Sequence, residues 1–408
     1  MSVCPTEYWL WLQSALGAGA KTDELLAYFG DPEKMYNAGS AEWRMSGLLT
    51  NKKIDALKSI SPSETGGIFR ECKAKGYSII TPDSANYPER FKQLKDMPLV
   101  LFALGDATVL KDTVSIGVVG TRNASNYGIE TAQKLSFSLA SCGVTIVSGG
   151  ALGIDSEAHA GAMLAKGRTV AFLGCGLSYD YLKENASLRR AITRYGAVVS
   201  EYAPFTPAGR TSFPIRNRLI SGLTLGTLVI EAGVKSGSLI TANFALEQGK
   251  DVFAVPGDIV RSSFDGANHL IKNGAKPVFS AMDILSEYEY LYGDLIDFTK
   301  AQQPLSDIPY VEYRKKKENS GEKHKTERKT TVKSISESKV SETKIKKELD
   351  DSYSEEARKV YSVLNENPTH IDDILRQTSL KMSDVLSAIT ELELMGDIVS
   401  KEGKKYSI

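Results

Sequence analysis

The sequence predicts an α/β protein with a doubly wound, mostly parallel sheet, a small helical domain before the sheet and a winged-helix domain after it. Between residues 76 and 300, short apolar and β-branched runs alternate with helical patterns, and Gly-rich turns follow many of these runs. Continuous apolar strands of this kind are typical of parallel sheets that helices cover on both faces. The segments on either side of this region instead carry apolar residues at helical spacing.

Residues 1–75 are predicted to form the helical domain. Trp9, Leu12 and Leu16 recur near i, i+3, i+4 spacing, and the same spacing continues as far as Leu57. No Lys or Arg precedes the first apolar stretch. We therefore interpret that stretch as a buried helix, with a signal peptide as the weaker alternative.

The central domain, residues 76–300, is predicted to contain nine strands. They are Ser78–Thr81, Leu99–Leu104, Ser115–Val119, Val144–Ser148, Thr169–Leu173, Ala197–Ser200, Thr227–Ile230, Val252–Val255 and Pro277–Phe279. Because the carboxyl ends of parallel strands share one edge of a sheet, ligands bind there, where the strand order reverses. The residues that follow these strands therefore form the candidate site.

Two further segments complete the chain. Residues 301–352 are rich in Lys, Glu, Ser and Thr and cannot bury enough apolar surface to fold, so we expect a charged flexible linker. Residues 353–408 carry three helical patterns and then two short apolar runs, at 398–399 and 406–408, around Gly403. Three helices followed by a two-stranded wing are typical of a winged-helix domain.

Composition excludes several classes of protein and several kinds of site. The chain has 408 residues and a formal net charge of +0, which excludes a protein that holds nucleic acid or membrane through its overall charge. The 4 Cys form no C-x-x-C motif and the 4 His are scattered, which argues against a zinc ribbon, a redox motif, a disulfide scaffold or a metal site. The chain contains no run of 18 apolar residues, so we expect no membrane span and a cytoplasmic location.

Five loops near the predicted strand ends carry the candidate binding residues. Glycine lets the backbone approach an anion, and a cationic or hydroxyl side chain beside it can bind phosphate. Each loop has a structural alternative, because Arg side chains can pair with carboxylates, and Asp155 and His159 are better explained as a helix cap and a packed helix residue than as catalytic groups. The candidates are Gly120, Thr121, Arg122, Ser148, Gly149, Gly150, Lys183, Arg216, Asn217, Arg218, Ser236, Gly237 and Ser238.

The sequence lacks the common motifs of nucleotide chemistry. The first loop is not a G-x-G-x-x-G fingerprint, and neither a G-x-x-x-x-G-K-[ST] P-loop nor a G-x-S-x-G elbow is present. Glu231 is the only carboxylate that we consider as a general base, and it has no obvious acid partner. We therefore expect no cofactor, no metal and no enzymatic activity.

Taken in chain order, the loop motifs resemble the DNA-processing protein A family (DprA, also called Smf). The resemblance covers roughly residues 5–290 and 354–408. It implies an extended Rossmann domain that binds single-stranded DNA and hands it to the RecA recombinase in natural transformation, with homodimers forming through that domain. The matching runs are Val118–Arg122, Ser148–Asp155 with Ala158-His159, Phe213–Leu223, Glu231-Ala232 with Ser236–Ala242, and Val255–Gly257.

The resemblance also implies residue roles. The family's G-[ST]-R loop, which contacts phosphate, falls on Gly120, Thr121 and Arg122, and its DNA-contacting Lys falls on Lys183. The sequence departs from the family pattern at Leu182, where a Pro is usual. The N-terminal run 17–22 is similar to the hairpin of helix-hairpin-helix DNA binders, although a packing or partner-docking role for this helical domain is the simpler interpretation.

Two other functions stay open at this stage. One is a Rossmann-type nucleotide hydrolase with Glu231 as the base. The other is a DNA-binding regulator that acts through the winged helix, whose third helix offers Lys381 near its start but several acidic residues beyond it. For that tail we expect protein contact or weak DNA binding rather than sequence-specific readout.

Overall fold

The computed structural model describes residues 4–311, 353–365, 367–395, 397–401 and 405–408. The chain divides into two compact units, one within Met1–Asn319 and one within Ser320–Ile408. In the described residues, no helix combines the length and apolar composition that crossing a membrane requires.

The first unit begins with five helices around an aromatic core. Trp11 is completely buried, its indole Nε1 donates to the Leu57 carbonyl at 3.1 Å, and its ring packs against Trp43. Asp31 and Thr50 accept backbone bonds at two of the helix starts, which satisfies amides that have no partner within the helix. The helices are α1 (Pro5–Leu16), α2 (Asp23–Phe29), α3 (Pro32–Met45), α4 (Asn51–Ser59) and α5 (Gly66–Lys75).

Nine strands then form one mostly parallel sheet, as predicted. The spatial order is β1-β2-β6-β5-β4-β3-β7-β8-β9; the β1–β2 and β2–β6 pairs are antiparallel and all other neighbours are parallel. The strands are β1 (Ser78–Ile80), β2 (Leu101–Gly105), β3 (Ser115–Val119), β4 (Thr145–Ser148), β5 (Thr169–Leu173), β6 (Gly196–Ser200), β7 (Gly226–Val229), β8 (Asp251–Ala254) and β9 (Lys276–Pro277).

Helices cover both faces of the sheet, which explains why the strands are apolar on both sides. Val118 packs toward one face with Ile146, whereas the neighbouring Val119 packs toward the other face with Val147 and Leu219. The covering helices are α6 (Asn126–Ser141), α7 (Ile154–Leu164), α8 (Ala186–Ile192), α9 (Ser212–Leu223), α10 (Gly237–Glu247), α11 (Asp265–Lys272) and α12 (Met282–Leu285), and a short helix, α13 (Glu289–Tyr292), follows them.

The packed part of this unit continues to Val311, past the residue-300 boundary predicted from the sequence. Ala301 and Ile308 are buried, and the Gln133 amide of α6 both accepts from the Val311 N–H at 2.8 Å and donates to its carbonyl at 2.9 Å. The remainder of the predicted linker, residues 312–352, lies outside the described residues.

The second unit has the predicted winged-helix architecture. Ala357, Val360, Ile374, Val385 and Leu392 are buried in its core. The wing pairs β11 with β12, and a short additional strand, β10, pairs with the other edge of β12. Gly403, predicted in the wing turn, lies outside the described residues. The elements are α14 (Glu355–Val363), β10 (Thr369–His370), α15 (Ile371–Thr378), α16 (Met382–Met395), β11 (Val399–Lys401) and β12 (Lys405–Ser407).

A buried ion pair joins the helical segment to the sheet. Arg218 Nη2 donates to Oε1 and Oε2 of Glu201 at 2.7 and 2.6 Å, and each side chain is only 2% exposed. The Gly19 amide donates to the same carboxylate at 3.1 Å, and Gln13 donates to the Glu201 carbonyl at 2.9 Å. Burial raises the pKa of Glu201, and Arg218 opposes that rise. The hairpin between α1 and α2 is therefore docked on the sheet through this carboxylate.

We predict that Arg218→Met lowers the free energy of unfolding by about 3–5 kcal/mol, because it leaves Glu201 buried without its partner. Urea unfolding followed by Trp fluorescence measures this, since the 3 Trp of the chain, at positions 9, 11 and 43, all lie in the helical segment. The double variant Arg218→Met/Glu201→Gln is the control and should recover much of the loss. A double variant that is as unstable as the single one would contradict this account.

Candidate functional site

The candidate residues lie along the edge where the parallel strands end. β3 lies between β4 and β7 in the sheet. After β3 the chain adds β4, β5 and β6 on one side and then returns to add β7, β8 and β9 on the other, so the strand order reverses at β3. The crevice of an open α/β sheet forms at such a switch point. We call this edge the rim, defined as the loops 120–125, 149–153, 174–185 and 230–236 with the first turns of α9.

The first loop is tightly packed and presents Arg122 outward. A Cβ on Gly120 would come within 2.5 Å of Ile154 Cγ1, so the loop can lie this close only with glycine. The Thr121 amide donates to the Glu231 carbonyl at 2.8 Å, which links the loops after β3 and β7. Arg122 is exposed and forms no ion pair with the described residues, so the carboxylate-paired alternative is not seen.

The second loop is buried, and its amides bond within the protein. The Gly149 and Ala151 amides donate to Asp155 Oδ2 at 3.2 and 3.3 Å, and Ser148 Oγ donates to the Val118 carbonyl at 2.6 Å. Gly150 is buried with them. Asp155 therefore stabilises the loop that precedes α7 rather than capping the helix, since Gly153 occupies the N-cap position.

The two Arg of α9 are buried, in contrast to Arg122. Arg216 is 5% exposed, and its Nη1 donates to the carbonyls of Gly149, at 2.7 Å, and Phe172. Arg218 is occupied by Glu201, as described above. Between them, Asn217 accepts from Arg216 Nε at 3.0 Å and donates to the Gly237 carbonyl at 3.3 Å. These side chains fix the ends of β4 and β5 and the loop before α10 in their places.

The third loop carries a further exposed cation, Lys183. The Lys183 side chain is 80% exposed, and its Nζ lies 3.2 Å from Asp180 Oδ2 in a surface pair. Leu182, which stands where the family has Pro, adopts the left-handed conformation with φ 49°. A proline ring fixes φ near −65° and cannot adopt this conformation. The loop in this conformation therefore requires a residue other than proline at position 182.

Sequence reasoning missed Asn185, which holds this loop to the second one. Asn185 is buried, its amide N–H donates to the Leu182 carbonyl at 2.9 Å, and its Nδ2 donates to the Gly150 carbonyl at 2.9 Å. No motif marks such a residue, because its partner lies 35 positions earlier in the chain.

Phe213, at the start of α9, was also missed as an individual site residue. The Arg122 guanidinium carbon lies 5.2 Å from the centroid of its ring, and the Tyr181 ring lies 5.3 Å from it on centroids. Phe213 thereby brings the Arg122 loop and the loop of Lys183 together on one side chain.

The last three candidates, which lie at the start of α10, differ in exposure. Ser236 caps α10, accepting from the Ser238 amide at 3.4 Å; Gly237 is exposed and Ser238 is buried. Glu231 is 1% exposed, and its Oε2 accepts from the Ser125 amide at 3.0 Å and from Ser125 Oγ at 2.7 Å. Glu231 thus holds the start of α6 in place.

The described residues contain no cluster of three or more His, Cys, Asp or Glu that could hold a metal ion. His159 is completely buried with Nδ1 2.7 Å from Thr169 Oγ1, and burial lowers its pKa to about 3. This neutral histidine is a packed helix residue, as the sequence analysis favoured.

Two segments of the chain match known protein families. A family described as DNA recombination-mediator protein A matches residues 78–289, and a DprA winged helix domain matches residues 346–404. The chain belongs to the DNA recombination-mediator protein A (DprA/Smf) family. The resemblance drawn from the loop motifs is thereby confirmed.

Individual DprA/Smf proteins support the same assignment. DNA processing protein DprA of Bacillus subtilis is 43% identical over 215 residues, covering 53% of this chain and 72% of that protein. Protein Smf of Synechocystis is 32% identical over 361 residues, covering 88% of this chain and 86% of that protein. The X-ray structure of DprA from Streptococcus pneumoniae aligns with a TM-score of 0.61 and 32% identity, over 70% of this chain and 99% of that one.

We predict that Leu182→Pro loosens the third loop, because proline cannot take the positive φ found there, whereas Leu182→Gly leaves the loop intact. Hydrogen–deuterium exchange of peptides covering residues 179–192 measures this. The proline variant should exchange faster around Asn185, whose amide bonds to the residue-182 carbonyl. Equal exchange in the proline and wild-type chains would show that the positive φ is not a fixed feature of the loop.

Proposed function

We propose that the chain is a non-enzymatic, sequence-tolerant single-stranded DNA-binding protein that protects incoming DNA and loads RecA in natural transformation. The observation that carries this proposal is the placement of two exposed cations of the rim, Arg122 and Lys183, on loops that share one aromatic contact. Their two loops follow parallel strands of one sheet and meet on the Phe213 ring. A polyanion that lies along this edge would reach both cations.

The electrostatics favour a local grip. With a formal net charge of +0, the protein cannot attract DNA by its overall field, so affinity must come from a few direct phosphate contacts. Arg122 and Lys183 are the primary contacts in this proposal. Arg216 and Arg218 act indirectly, because both are buried and already bonded to backbone carbonyls or to Glu201.

The remaining predicted contacts shape the groove. The loop Gly120–Thr121 places Arg122, the buried run 148–150 forms the floor, and Asn217 positions the Ser236–Ser238 turn. In that turn the exposed Gly237 offers backbone that a phosphate can approach.

Single strands are favoured over duplex. Tyr179, in the same loop as Lys183, is 40% exposed. An exposed ring can stack on a base only when the base is unpaired, and stacking on an aromatic ring tolerates any base. This supports a site that accepts single-stranded DNA without sequence preference.

The comparisons support a role in DNA processing. The relatives from Bacillus subtilis and Streptococcus pneumoniae are named DNA processing proteins, and the family description names a recombination mediator. On this basis we propose RecA as the protein partner, a homodimer formed through the Rossmann domain, and action in the cytoplasm. The proposed domain plan is that of the sequence analysis, with boundaries at 75 and 352, and with the boundary predicted at 300 moved to Val311, where the packed part of the central domain ends.

The environment of Glu231 supports binding rather than catalysis. Its carboxylate is 1% exposed and its Oε2 accepts two bonds from Ser125, so it lacks the access to substrate that a general base needs.

We predict that Arg122→Ala and Lys183→Ala each reduce the log–log salt slope of single-strand binding by about 0.7, the value expected for one lost phosphate contact. Fluorescence anisotropy with a labelled oligothymidylate across salt concentrations measures the slope. Lys52→Ala, which removes an exposed cation from α4, is the matched control and should leave the slope unchanged. If the rim variants keep the wild-type slope, the two cations do not contact phosphate.

We expect duplex DNA of equal length to bind more weakly than the single strand. We also expect the wild-type chain to accelerate RecA assembly on single strands when RecA is added to the same mixtures. Both rim variants should lose this acceleration in proportion to their lost DNA binding. Acceleration that survives full loss of DNA binding would mean that the RecA effect does not depend on the rim.

A further inference from the structure

We infer that Phe213 is a positioning residue that pre-organises Arg122 for a phosphate of the bound strand. This inference rests on the proposed function and assigns to one aromatic side chain the task of fixing a cation on the neighbouring loop.

The first argument is the freedom of Arg122. Its side chain is exposed and has no ion-pair partner among the described residues, so the contact with the Phe213 ring restricts where its guanidinium lies. A cation within about 6 Å of a ring centroid is attracted by the negative face of the ring. At 5.2 Å, the Arg122 guanidinium meets this condition and keeps its N–H donors available.

The second argument is the rigidity of the ring. Phe213 lies on α9, which Arg216 anchors to the ends of β4 and β5 through the carbonyls of Gly149 and Phe172. Gly174 lies against the ring so closely that a Cβ there would come within 2.8 Å of Phe213 Cδ1. The ring is therefore a fixed surface, and a side chain held on it loses less conformational freedom when DNA binds.

The third argument is the shared contact. Tyr181, two residues before Lys183, packs on the same ring with an interplanar angle of 42°. One ring thus fixes the Arg122 loop relative to the loop of Lys183. A strand that reaches both loops meets them at a set separation.

The test is a double-mutant cycle between Phe213 and Arg122. Phe213→Leu keeps an apolar side chain but removes the ring face, and Phe213→Tyr keeps the face as the conservative control. In the wild-type background, Phe213→Leu should weaken binding of an oligothymidylate about two- to five-fold, the range of an exposed cation–π contact, and Phe213→Tyr should not.

In the Arg122→Ala background, Phe213→Leu should cause little further loss, because the side chain that it positions is gone. An equal loss in both backgrounds would overturn the inference, since a ring that stacks on a base or only supports α9 acts without Arg122. Urea midpoints of each variant, compared with wild type, separate a folding defect from a binding defect.

A measurement without DNA keeps this inference separate from the proposed function. With labelled arginine, the Arg122 Nε–Hε resonance of the free protein should show a ring-current shift that Phe213→Leu removes and Phe213→Tyr retains. If Phe213→Leu removes this shift but the wild-type protein does not bind single strands, the proposed function is wrong and the contact between Phe213 and Arg122 still stands. A resonance that is unchanged by Phe213→Leu would overturn the inference directly.

Discussion

The buried guanidinium of Arg216 is the interaction on which the geometry of the rim depends. Parallel strands end in carbonyls that have no further strand or helix to pair with, and a buried carbonyl without a donor is costly. Arg216 donates to two such carbonyls, those of Gly149 and Phe172, while Asp155 accepts from the amides of the same loop and balances the charge. These buried backbone groups at the strand ends thereby find their hydrogen-bond partners within the protein, and the outer edge of the rim stays accessible.

The N-terminal hairpin is also held by a buried charge, the carboxylate of Glu201. The sequence of this hairpin is similar to DNA-binding hairpins, yet the Gly19 amide donates to Glu201 and a Cβ on Gly19 would come within 2.8 Å of Ile215 Cγ2. Gly19 also has φ 73°, a conformation that favours glycine. The hairpin faces the sheet and docks the helical segment on it, which favours the packing interpretation over a direct DNA contact.

The elements that sequence predicts best are those whose signal is local. β3 and β5 have the predicted bounds, because continuous apolar runs between turns define a buried parallel strand by themselves. Local sequence does not distinguish the exposed Arg122 from the buried Arg216 and Arg218, because only the fold determines their exposure. The decisive partners of Arg216 lie 44 and 67 positions away in the chain, beyond the reach of any local pattern. The contacts of Asn185 and Phe213 were missed for the same reason.

The number of proposed phosphate contacts bears on assembly, because each neutral chain offers only Arg122 and Lys183 as primary contacts in the proposed function. Each phosphate contact contributes a salt-dependent term, so the two proposed contacts in one chain would give weak binding at physiological salt. A second copy that engages the same strand converts its own binding into an intramolecular event with a high effective concentration. The proposed homodimer therefore suits this charge distribution, because it multiplies contacts along a strand without giving either copy the net positive charge that would attract every polyanion.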